Sequence, residues 1–177
     1  QKEAFELLAK YWDQLWLRKG NFIMGTNFYL FTMNKNMVTK HAPYSYQITD
    51  EPDLGYTIHI AKTSYGWLPL FQAHKNGIDS VEEYKEAYDT GEYRIFDEYG
   101  TEYNWEEFDE RVLKFNGGVL GVLPRKKIEQ DENSEFYDPK LPKYKPISHQ
   151  DYKYDPDYAN DYDVDKDGYE FCWREFS

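Results

Sequence analysis

Ser80-Val81-Glu82-Glu83-Tyr84-Lys85-Glu86-Ala87-Tyr88-Asp89-Thr90-Gly91-Glu92-Tyr93-Arg94-Ile95-Phe96-Asp97-Glu98-Tyr99-Gly100-Thr101-Glu102-Tyr103 reads as a helix, a strand, a tight turn and a returning strand. Ser80 and Glu83 have the capping-box spacing, in which a hydroxyl and a carboxylate satisfy the free amides of a helix start. Val81, Tyr84 and Tyr88 recur at helical spacing and give one apolar face, and Gly91 is the stop. Tyr93 to Phe96 is β-prone, and Asp97-Glu98-Tyr99-Gly100 is a turn before Thr101 to Tyr103. Asn104 with Glu107 repeats the capping spacing and opens a helix through about Lys114, with Trp105, Phe108 and Val112 facing inward and Gly117-Gly118 as the stop. Helices set among short strands predict an α+β fold: a small antiparallel or mixed sheet with helices on one face.

Working outward, Asn27 to Met33 is an aromatic, β-prone run and predicts a strand. Asn34-Lys35-Asn36 is expected to turn the chain as a hairpin into Met37-Val38-Thr39. Residues 41–55 hold Pro43, Pro52 and Gly55 and read mainly as loop, and Tyr56 to Ile60 as a second strand. Val119 to Leu123 predicts another. Before these, Phe5, Leu8, Trp12 and Leu15 predict a helix over 3–18, available as an extra layer or a dimer contact. After them Pro124, Pro139, Pro142, Pro146 and Pro156 forbid long helices. Residues 1–23 thus read as an N-terminal helical extension, 24–123 as the core domain, and 124–177 as an irregular acidic tail docking on it. Within the tail, Gly168 to Phe176 is expected to dock as a final strand.

The chain has 177 residues, enough to bury a real core, and Tyr, Phe and Trp make up 19% of it. Net charge is −12, and it is uneven. Residues 1–40 hold six basic side chains against three acidic ones, so the remainder carries −15. Such a surface repels phosphate backbones and anionic membranes, which argues against binding free nucleic acid. It favours basic partners, although a charged surface also simply keeps a protein soluble. Cys172 is the only cysteine, so no intrachain disulfide forms, which fits a reducing, cytoplasmic setting. No apolar run is long enough to span a bilayer and no signal peptide is recognisable. Gln1 is not a natural initiator, so the displayed chain is expected to be trimmed or to start late.

Candidate chemistry centres on His59 to Trp67. The stretch follows a strand and gathers His59, Lys62, Thr63, Ser64, Gly66 and Trp67. A loop at a strand end can offer backbone amides to an anion. His59 is the candidate base, Lys62 steadies negative charge, and Ser64 and Asp97 complete a catalytic set if the protein is an enzyme. The glycine spacing of a P-loop is missing. The plain alternative is a structural turn with His59 packed on a strand face. Asp163-x-Asp165-x-Asp167-Gly168 matches the first half of a calcium loop, but Arg174 stands at the twelfth position where a bidentate Glu belongs. A solvated acidic loop competes with that reading. The four histidines, His41, His59, His74 and His149, have no zinc spacing. Cys172, between Phe171 and Trp173, reads as a small buried hydrophobe. No cofactor is called for.

Four ordered motifs resemble a family of small phage and prophage accessory proteins. They are Met24-Gly25-Thr26-Asn27-Phe28-Tyr29, His59 to Trp67, Ser80 to Tyr84 and Asp97-Glu98-Tyr99-Gly100, with a looser echo at Gly168 to Phe171. Relatives often carry a Cys-x-x-Cys between the first two motifs, which this chain lacks. The resemblance implies an accessory protein working inside a bacterial host cell. Three functions stay open. The first is an inhibitor of a host defence nucleoprotein or nuclease, of the anti-CRISPR kind, docking through Tyr137, Asp155, Asp157, Tyr158, Asp161, Tyr162 and Asp163. The second is a nuclease or nucleotide-processing enzyme using His59, Lys62 and Ser64. The third is a sponge that holds a phosphate-containing signal on the loop from Lys62 to Trp67.

Overall fold

The structure, a computed structural model, describes residues 25–48, 55–64, 66–115, 146–152 and 160–175. The helix expected over 3–18 and the strand over 119–123 lie outside them. Strands β1 (Gly25–Thr32), β2 (Gln47–Ile48), β3 (Tyr56–Ser64), β4 (Leu70–Gln72), β5 (Arg94–Asp97), β6 (Glu102–Tyr103), β7 (Tyr162–Val164) and β8 (Glu170–Cys172) form one mixed sheet. Its order is β6-β5-β1-β3-β4-β8-β7, with β2 on β3. Only β4 and β8 run parallel; the other pairs are antiparallel. Helices α1 (Lys35–His41), α2 (Val81–Asp89) and α3 (Trp105–Phe108) cover one face, and α3 continues as a π-helical turn over Asp109–Leu113. The fold is α+β, as the sequence predicts.

The core forms where the apolar sides of the strands meet the helices. Phe28, Leu30, Ile58, Ile60, Phe71, Ile95 and Phe171 from the sheet pack with Val38, Tyr84, Ala87, Phe108 and Val112 from the helical layer. Phe28 stands edge-on to both Tyr103 and Phe108 at ring distances of 5.6 and 5.7 Å, a geometry that aromatic quadrupoles favour. Capping fixes the helices. Ser80 accepts from the Glu83 amide, and the Glu83 carboxylate reaches back one residue further than the standard box, to the Asp79 amide. Asn104 and Glu107 make the full reciprocal box.

Two expectations are corrected. Asn34 does not open a hairpin. Its side chain accepts from the Asn36 amide and caps α1, which buries Val38. The physical reason is that β1 already has β3 on one side and β5 on the other, so a returning strand over 37–39 would find no free edge. The tail is not irregular throughout. Residues 160–175 form a β-hairpin that extends the sheet, with Leu70, Phe71 and Gln72 in register with Glu170, Phe171 and Cys172. The final strand is where the aromatic run predicts it, and Cys172 is buried in it, with its thiol pushed up by that burial.

A buried imidazole lies between sheet and helix. His74 is 1% exposed, its Nε2–H donates to the His59 carbonyl at 3.0 Å, and Nδ1 has no hydrogen-bond partner among the described residues. Burial pushes its pKa down to about 4 from 6.5, against the opposing effect of that carbonyl. An unfolded chain therefore takes up the proton first as pH falls, so stability present above pH 6.5 drains away between 6.5 and about 4. At about 1.4 kcal/mol per tenfold change in proton affinity, the loss is about 3 kcal/mol. Urea midpoints at pH 7 and pH 4.5 should differ accordingly, and His74→Gln should flatten the difference. An unchanged slope in that variant would place the titrating group elsewhere.

Candidate functional site

Two regions gather chemistry-bearing side chains. The first is the stretch from His59. It is not a loop: β3 runs through Ser64, so the amides of Lys62, Thr63 and Ser64 lie in a strand flanked by β1 and β4. Beyond it, the Trp67 amide donates to the Ser64 carbonyl and the Leu68 amide to Ile147, while Gly66 accepts from Ile147. Those two amides are engaged within the protein, and Lys62, Thr63 and Ser64 lie in a strand where a loop was expected. A β-bulge decides where the side chains point. Phe28 pairs with Ala61 but Tyr29 pairs with His59, leaving Ile60 as the extra residue. Strict alternation would set His59 and Lys62 on opposite faces. With the bulge, His59, Lys62 and Ser64 share the face opposite the helices, while Thr63 turns to the helical side. His59 is 8% exposed and stacks on Tyr29 at 5.0 Å.

Asp97 does not join that set. It pairs with Phe28 on the helix-covered side. One carboxylate oxygen accepts from the Tyr99 and Thr101 amides and the other from the Tyr103 hydroxyl, so it organises the turn; burial first, then this bond, push the Tyr103 phenol up to about 12. The carboxylate on the His59 side is the neighbouring Glu98, which accepts from the Asn27 amide and side chain. The structure thus places Asp97 and His59 on opposite faces of the sheet, because a turn residue's facing depends on register.

The second region is a groove of about 230 Å³ between the β7–β8 hairpin and the start of α2. Asp79, Ser80 and Glu82 form one wall, Asp163, Val164, Asp165 and Lys166 the other, with Phe171 and Trp173 completing it. The hairpin is fixed there by Asp165. One of its oxygens accepts from the Asp167 and Tyr169 amides, the other from the Val81 amide at 3.1 Å, so the same carboxylate closes the hairpin and caps α2. Asp165, the middle carboxylate of the calcium reading, is thus hydrogen-bonded to three backbone amides. Asp163 accepts from the Val164 amide, and among the described residues no three His, Cys, Asp or Glu side chains converge to hold a metal ion. Lys166 is ion-paired with Glu82. Asp79 has its carboxyl raised by burial first, then by Glu83 and Asp163 nearby. Trp173 is 42% and Val164 46% exposed.

Of the docking residues expected from sequence, Asp161 pairs with Arg174 at 2.6 Å and accepts from the Trp173 amide, and Asp163 lines the groove. Tyr162 packs its ring against His149 at 5.4 Å. Tyr137, Asp155, Asp157 and Tyr158 lie outside the described residues. Sequence reasoning missed Glu170. Its carboxylate, 3% exposed, accepts from the Ser148 hydroxyl, the His149 amide and His149 Nδ1, the last two at 3.0 Å. Burial opposes its charge, but these donors outweigh burial and hold the carboxyl below its ordinary range. The His149 ring lies between Trp67 and Tyr162. No sequence signal joins residues 148 and 170, because they meet only through the sheet.

Fold and groove define the chain as an α+β domain with an acidic, partly aromatic groove at one end of a mixed sheet. No family model, no curated protein and no solved structure matches it. No helix among the described residues is long and apolar enough to cross a membrane.

Proposed function

We propose that the protein is a phage or mobile-element inhibitor that works in the bacterial cytoplasm and docks on a basic, nucleic-acid-handling component of a host defence complex. The observation that carries this reading is the groove, where four carboxylates, from Asp79, Glu82, Asp163 and Asp165, face a single lysine beside an exposed tryptophan. Acidic charge of this density speeds encounter with a channel built for phosphates, and an aromatic anchor supplies affinity that charge alone does not. The uneven charge of the whole chain adds to it, with −15 beyond residue 40.

The test uses purified host defence nucleoproteins and nucleases. Titration should give a stoichiometric complex that weakens as salt rises and that blocks nucleic-acid binding by the partner. Reversing Asp79 and Asp163 to lysine together should weaken that complex by about tenfold or more and flatten its salt dependence. Unchanged affinity in the double variant would remove acidic docking as the mechanism.

A further inference from the structure

Asp79 and Asp163 line the same groove from separate elements, neither has an ion-pair partner among the described residues, and Lys166 is taken by Glu82; burial, then Glu83 and Asp163 nearby, push the Asp79 carboxyl upward. Charge crowded in this way on two separate elements, α2 and the β7–β8 hairpin, is relieved by a cation supplied from outside. The carboxylates do not converge on one point as metal ligands do. Asp79 and Asp163 border a groove whose apolar lining is the exposed Trp173 indole with Val164 and Phe171. A flat, weakly hydrated cation that stacks on an indole and forks across separated oxygens fits this lining better than a compact, strongly hydrated ammonium. The edge of β7 is a poor template for an added strand. It is three residues long, and the Val164 amide is already engaged by Asp163.

We propose that this groove takes an arginine side chain of the basic partner, its guanidinium laid on Trp173 and bridging Asp79 and Asp163. The inference rests on the acidic-docking reading and sharpens it from a general charge match to one recognised side chain.

The experiment is a titration of the isotope-labelled full chain, read by nuclear magnetic resonance at the Trp173 indole N–H and the Asp79, Ser80 and Asp163 amides. The probes are N-acetyl-arginine amide, N-acetyl-lysine amide and N-acetyl-norleucine amide, with a nona-arginine peptide alongside. The arginine probe should shift these signals saturably in the millimolar range, several-fold more tightly than the lysine probe, and norleucine should leave them unmoved. Trp173→Ala and Asp163→Asn should each weaken the arginine probe about fivefold. Equal response to lysine, response to norleucine, or indifference to both substitutions would overturn the assignment. Nona-arginine separates the two levels. If it binds in a salt-dependent way while the arginine probe does not, the groove assignment fails and acidic docking stands. If it does not bind at all, both fail.

Discussion

Glu170→Ala is expected to release residues 146–150 from the sheet and to destabilise the fold by about 3 kcal/mol, because removing one side of a buried charged network leaves the other side unsatisfied. The carboxylate is the common acceptor for the Ser148 hydroxyl, the His149 amide and His149 Nδ1. Alanine leaves those donors facing a dry site on β8. The segment has other fastenings, the Leu68 amide to Ile147 and the Ile147 amide to Gly66. Its loss should therefore appear first as faster hydrogen exchange at Ile147 and His149, and only then as a lower denaturation midpoint. The pH dependence has a definite sign. The folded carboxyl sits below its ordinary value of 4.5, so its contribution is present above that value and is lost as pH falls through the folded value. Glu170→Ala should lack this acid-side loss. Glu170→Gln should fall between, since an amide offers one acceptor oxygen but points donors at donors. Wild-type exchange rates at Ile147 in the alanine variant would show that the network does not hold the segment.

The second large effect is expected at Gly77. A Cβ there would lie 2.0 Å from the His41 carbonyl oxygen and 2.6 Å from its carbon. The obstacle is backbone at the C-terminal end of α1, and it cannot rotate away as a side chain would. The same carbonyl accepts the Ile78 amide at 2.9 Å, while the Gly77 amide donates to His74. Moving the chain to admit a methyl group thus breaks the junction between α1 and the turn after β4. Gly77→Ala should cost about 3 kcal/mol, the upper end for overpacking. Gly91→Ala is the control. Its φ is +77°, but nothing lies within 4 Å of a Cβ there, so the cost is left-handed strain alone, about 1 kcal/mol. Urea midpoints of the two variants should separate clearly. Equal midpoints would mean that the α1 junction yields freely.

Groups that act within one turn of the chain were readable in the sequence. Ser80 with Glu83 and Asn104 with Glu107 start helices because each satisfies amides three or four residues away. The Asp97 turn and the aromatic strands follow from equally local preferences, so the α+β class needed no tertiary information. Where local preference was ambiguous, long-range pairing decided. Asn34 can cap a helix or turn a hairpin, and only the occupation of both sides of β1 selects the helix. One bulged residue, Ile60, sets His59 beside Lys62, while register sends Asp97 to the other side and leaves Glu98 in its place. The sequence by itself determined the elements, the acidic balance and the aromatic supply. Packing alone decided that Glu170 meets His149 and that Asp79 and Asp163 line one groove. Those meetings join positions tens of residues apart, and they depend on strand order and register, which no local preference encodes.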